Sequence, residues 1–101
     1  MSKLYAIRDV LAGSIVGPIQ SMKHDAVAVR FFQDVASQPG TSINQHVEQH
    51  ELLCIGILDD ETGYFTAVDW PESEGLGDCK PQVVITGAAL VAMREAQENR
   101  K

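Results

Sequence analysis

Cysteine, basic residues and long apolar runs are all scarce in this chain of 101 residues. Its two cysteines, Cys54 and Cys79, are too few and too scattered for a disulfide framework or a zinc knuckle, which favours a reducing compartment. No apolar run approaches the roughly 20 residues that cross a bilayer, and the first residues do not form a signal peptide. We therefore expect a cytoplasmic protein that makes no contact with membranes.

The shortage of basic residues bears on nucleic-acid binding. The chain has 8 basic and 14 acidic residues, so its formal net charge is −6. The excess is local, because residues 51–78 contain eight acids and no base, whereas residues 1–50 contain four of each. Duplex-binding proteins usually carry an excess of Lys and Arg. The charge weakens a nucleic-acid hypothesis but leaves it open, since an uneven distribution can still present a neutral or mildly positive face.

Apolar residues, by contrast, are plentiful, at 45% of the chain. This fraction and the short length predict one domain over residues 1–101. A domain of this size buries too little surface to be very stable alone, so a partner chain would help. We expect a homodimer that buries part of the sheet or the face of a helix at residues 88–93.

The apolar pattern predicts an α+β domain, in which one central helix packs on an antiparallel sheet of four to five short strands and a C-terminal helix follows. The expected strands are residues 3–9, 14–19, 52–58, 64–68 and 82–86. Pro18 places the second strand at an edge or ends it. The run at 52–58 is almost entirely apolar, which predicts a strand buried on both faces. The acidic turn at residues 59–63 joins it to the next strand as a hairpin.

The central helix is expected over residues 23–37, with Ser21 as its N-cap and Pro39-Gly40 as its end. Its apolar stripe consists of Val27, Ala28, Phe31, Phe32 and Val35. Residues 41–49 read as a polar loop with a short helical turn, and residues 69–81 as an acidic loop rich in Pro and Gly. The terminal helix is expected over residues 88–99, with fraying from residue 95.

Few residues suggest chemistry. His46 and His50 are four residues apart and could hold a metal with His24, Glu48 or Cys54, but the segment lacks the apolar support of a stable helix, so we expect no metal site. Residues 59–63 lack the ligand pattern of a calcium loop. Cys54 lies in the most apolar strand and is expected in the core. With no nucleophile elbow and no glycine-rich phosphate loop, the sequence predicts neither an enzyme nor a cofactor.

Three blocks of residues together resemble one family. The first is Leu4-Tyr5-Ala6-Ile7-Arg8-Asp9 with Ala12-Gly13, Pro18, Ala26, Arg30-Phe31 and Asp34. The second is His46 with Glu48, and the third is Leu53, Ile55-Gly56, Asp59-Asp60, Thr62-Gly63 and Phe65. In this order and spacing they resemble the small nonstructural protein of the gokushoviruses, single-stranded DNA bacteriophages of the Microviridae. The resemblance covers about residues 3–70.

That resemblance implies a nonenzymatic accessory protein for single-stranded DNA genome synthesis in the cytoplasm of the bacterial host. Its partners would be single-stranded DNA or a phage or host replication protein. The residues expected to contact DNA are Lys3, Arg8, Lys23 and Arg30, with Tyr5 as a surface for base stacking, as Tyr64 and Trp70 could also be. Each cation could instead be solvated or paired locally, for instance Arg8 with Asp34. The alternative is a dimeric protein–protein interaction module without nucleic-acid contact.

Overall fold

The computed structural model describes residues 2–67 and 82–98. Its elements in chain order are β1 Ser2–Asp9, β2 Ser14–Met22, α1 Asp25–Ala36, α2 Ser42–Gln45, a 3₁₀ turn at Val47–Gln49, β3 His50–Leu58, β4 Phe65–Ala67, β5 Gln82–Thr86 and α3 Gly87–Glu98. The predicted α+β fold, with an antiparallel sheet and a C-terminal helix, is confirmed. The expected loop at 69–81 lies outside the described residues.

The sheet is antiparallel throughout, and β3 is its central strand. Strand β1 lies between β2 and β3, and it occupies one edge of β3 over its whole length. On the other edge, β4 pairs with residues 56–58 and β5 pairs with residues 51–54. Because both run antiparallel to β3, they follow one another along the same edge. The nearly continuous apolar sequence of β3 therefore reflects its central position.

The two predicted hairpins are present, with one strand longer than expected. At the β3–β4 turn the Asp59 carboxylate accepts a hydrogen bond from the Glu61 backbone N–H, and Gly63 has a φ of 80°. Strand β2 is an edge strand, as predicted, but it continues past Pro18 to Met22. Proline is tolerated there because an edge position does not require its missing backbone donor.

Helix α1 departs from the sequence prediction at its start and in its orientation. It begins at Asp25, two residues later than predicted, and its N-cap residue His24 provides no side-chain hydrogen bond. The expected Ser21 cap is wrong because Ser21 belongs to β2. The helix is buried most deeply along Ala28, Phe32 and Ala36, whereas Val27 is exposed. The apolar stripe is thus rotated toward the residues at four-residue spacing.

The core lies between the sheet and the helices, on one face of the sheet. Its buried residues are Tyr5, Ile7, Leu52 and Cys54 from the strands, Ala28, Phe32, Ala36 and Leu90 from the helices, and Ile43 and Val47 from the segment between α1 and β3. Cys54 is a core residue as predicted, and burial raises the pKa of its thiol. Helix α3 continues to Glu98, into the segment expected to fray.

Candidate functional site

Three of the four cations expected to contact DNA are paired with carboxylates of the chain itself. The Lys3 Nζ lies 3.3 Å from an Asp25 oxygen, the Arg8 Nη1 3.3 Å from a Glu51 oxygen, and the Lys23 Nζ 2.9 Å from an Asp60 oxygen. A phosphate that bound any of them would have to displace or neutralise that carboxylate. Local pairing, which the sequence left open as an alternative for each cation, is thus observed for these three.

The first pair belongs to a small polar cluster at the start of α1. The Tyr5 hydroxyl donates a hydrogen bond of 2.5 Å to the Asp25 carboxylate, which also accepts from Lys3 at 3.3 Å. The bond from Tyr5, followed by the hydrogen bond and the charge of Lys3, lowers the pKa of Asp25, while burial and the bond to Asp25 raise the pKa of Tyr5. The expectation that Tyr5 stacks on a base is wrong, because its ring is buried in the core.

A second polar cluster joins the start of β1 to the β3–β4 turn. Asp60 accepts hydrogen bonds from the Lys23 ammonium and from the Ser2 hydroxyl. These two donors, Lys23 first, lower the pKa of Asp60 to about 2. The turn read from sequence as a hairpin connection therefore also anchors the chain that leads into α1.

Arg8 and Arg30 lie apart from these clusters and from each other. Strand register places Arg8 opposite Glu51 on β3, so the proposed pairing with Asp34 is wrong. Arg30 is exposed on α1, and residues 2–67 and 82–98 offer it no ion pair. Arg8 is five residues from Lys3, about 17 Å along the strand, and points to the opposite face. The five expected DNA-binding residues do not form one continuous surface.

The two histidines of the 46–50 segment point to different environments. His46 is exposed at the end of α2, whereas His50 is buried at the start of β3. The His50 Nδ1 donates to the His46 carbonyl oxygen at 2.7 Å, and its Nε2 lies 3.9 Å from an Asp9 carboxylate oxygen. The described residues contain no group of three or more His, Cys, Asp or Glu side chains that could hold a metal ion. The four-residue spacing thus places the His50 ring against the backbone carbonyl of His46.

The sheet face opposite the helices carries apolar side chains that the sequence analysis did not assign to one surface. Cross-strand pairs place Ala6 beside Leu53 and Leu53 beside Val83, in alternation with the core residues. Leu4, Ile15 and Phe65 lie on the same side, and the Phe65 ring covers Gly56. We call this surface, defined by Leu4, Ala6, Ile15, Leu53, Phe65 and Val83, the outer face. No helix of the described chain packs on it, since the helices share a core with the other face.

Comparison with known protein families gives a match over most of the chain. Residues 2–89 match the family described as "Phage ORF5 protein". No curated protein and no solved structure matches the chain. The family match extends beyond Trp70, where the resembling motifs end. Among the described residues, no helix is long and apolar enough to cross a membrane.

Proposed function

Because the chain belongs to the phage ORF5 protein family, we propose that it is a nonenzymatic phage accessory protein that acts by binding replication proteins. Its resemblance to the gokushovirus nonstructural protein supports a role in single-stranded DNA genome synthesis, in the cytoplasm of the bacterial host. The proposal selects protein partners over DNA.

The pairing of the cations carries this choice. Lys3, Arg8 and Lys23 each lie within 3.3 Å of a carboxylate oxygen, so their charge is already compensated before any ligand arrives. Binding to single strands depends on the release of counterions by unpaired cations, at about −0.7 in the salt slope for each phosphate contact. Tyr5, the expected stacking residue of β1, is buried. A chain with a net charge of −6 gains little from phosphate contact under these conditions.

The proposal is tested by two experiments with the full chain, a titration and a co-precipitation. Fluorescence anisotropy with a single-stranded oligonucleotide at two salt concentrations should show no salt-dependent binding. Precipitation of the tagged protein with the purified phage replication initiator and host replication proteins should show a direct complex. The complex should persist in the double variant Arg8→Ala with Arg30→Ala, because neither cation is needed for a protein contact.

Two outcomes would contradict the proposal. One is oligonucleotide binding that weakens with salt and loses salt dependence in the double variant, which would assign the protein to single-stranded DNA. The other is the absence of a complex with every replication protein tested.

A further inference from the structure

We propose that the outer face is a self-association surface on which two copies of this chain pack sheet against sheet. Around the buried Leu53, which is 3% exposed, lie three half-exposed apolar residues: Ile15 (46%), Phe65 (52%) and Val83 (47%). The proposal concerns contact between identical chains and goes beyond the proposed function. A replication protein could bind elsewhere whether or not two copies associate.

Charge favours a second copy as the occupant. Arg8 and Glu51 pair with each other at one end of this face, and Lys23 pairs with Asp60 beside Ser2 at the other end. The face is therefore formally neutral on a chain of net charge −6. A twofold dimer brings each patch against the same patch of its partner, so a charged patch would repel itself. The neutral outer face can meet its copy without that repulsion, and Arg8 with Glu51 can remain at the rim.

The dimensions of the face suit a weak dimer. Because β4 and β5 share one edge of β3, the sheet is four strand positions wide and about eight residues long. At spacings of about 4.8 Å between strands and about 3.3 Å along them, it covers about 500 Å² before side-chain relief is counted. Small specific interfaces bury about 600 Å² on each partner. Two sheets pack face to face about 10 Å apart when both inner faces carry apolar side chains. We therefore expect association that depends on protein concentration.

The alternative of pairing between edge strands is disfavoured by β2 itself. This edge strand contains Pro18, which has no backbone donor, and Gly17, whose φ of 74° interrupts extended geometry. The register between β1 and β2 also shifts between Tyr5 and Ile7. Proline and irregular backbone at an edge prevent continuous pairing with another strand. Pairing at the β2 edge is therefore an unfavourable route to a dimer.

The experiment measures particle mass across a dilution series of the full chain. Light scattering and sedimentation should show a mass that approaches twice 11.0 kDa at high concentration and 11.0 kDa on dilution. Lysines introduced together, as Ile15→Lys with Val83→Lys, should weaken association about tenfold or more, which corresponds to about 1.4 kcal/mol. Met93→Lys is the matched control: Met93 is also exposed but lies on α3, and association should be unchanged.

A second pair of variants keeps the result interpretable. If the two lysines disturb the fold by circular dichroism, Ile15→Ser with Val83→Ser tests the same face without new charge. A mass of 11.0 kDa at every concentration would overturn the proposal. So would association that survives in a folded outer-face variant, or that is lost in Met93→Lys alone. Residues 68–81 can also be replaced by a short linker. If this change lowers the stability of the monomer, the outer face would be assigned to that segment and the proposal would be overturned.

Discussion

The two faces of the sheet use similar residues for different purposes. The face under the helices buries Tyr5, Ile7 and Leu52 together with Phe32 of α1. The outer face carries Ile15, Phe65 and Val83, which remain about half exposed. Both faces are apolar because the central strands are nearly continuously apolar and successive side chains point to opposite faces. The covered face holds the core, and the outer face is the surface that we propose for association.

The polar clusters sharpen this contrast. Asp25 lies at the start of α1 on the covered side. Its carboxylate accepts hydrogen bonds from Tyr5 and Lys3 and so joins the helix to β1. On the outer face, Arg8 and Glu51 join two neighbouring strands. The sequence predicted that Lys3, Arg8 and Lys23 could contact phosphate. In the structure each of them pairs with a carboxylate of another element.

The largest expected effect compares two phenylalanines. Phe32 is fully buried and Phe65 is 52% exposed. Phe32→Ala should lower the free energy of unfolding by about 3–5 kcal/mol, because it removes buried contacts and leaves a cavity. Phe65→Ala should cost less than about 1 kcal/mol in dilute protein. Urea denaturation of both variants measures the difference, and equal losses would show that the outer face is as well packed as the core.

A smaller effect is expected from the buried hydroxyl of Tyr5. Tyr5→Phe removes the hydrogen bond to Asp25 while the ring remains in the core. It should lower the free energy of unfolding by about 1–2 kcal/mol, because the bond is partly buried and its acceptor is charged. Tyr64→Phe is the control, since Tyr64 is exposed, and it should have almost no effect. Thermal melts that are identical for the two variants would contradict this assignment.

The smallest expected effect depends on pH. The pKa of Asp25 is lowered in the folded chain from the ordinary 3.8, by the bond from Tyr5 and then by Lys3. Its carboxylate therefore stabilises the fold fully above the unfolded pKa, and this contribution is lost as the pH falls through the folded pKa. Because both side chains of the Lys3 pair are partly exposed, we expect less than about 1 kcal/mol at neutral pH.

The measurement compares urea denaturation of the wild type and Asp25→Asn at several pH values. The advantage of the wild type should be constant near neutrality and shrink below pH 3.8. Asp34→Asn, which changes an exposed carboxylate on the same helix, is the control. An advantage that grows as the pH falls would have the wrong sign for this cluster.

Local patterns predicted most elements correctly but not their mutual contacts. Strand β5 has the predicted limits of residues 82 and 86, and the Asp59–Gly63 turn forms the predicted hairpin. The pairing of Arg8 with Glu51 could not be predicted, because it requires the register between β1 and β3. For the same reason sequence reasoning assigned Tyr5 to a surface, although its hydroxyl is satisfied by an aspartate 20 residues away.

The sequence by itself determined the α+β class, the hairpins and the core position of Cys54, because these depend on local periodicity and turn residues. Only the tertiary structure decided which sheet face the helices cover and which carboxylate each cation meets. Alternation separates the two sides of each strand, but it does not specify which side a helix covers. That choice depends on contacts between distant residues, and it buried Tyr5 while it left Phe65 exposed.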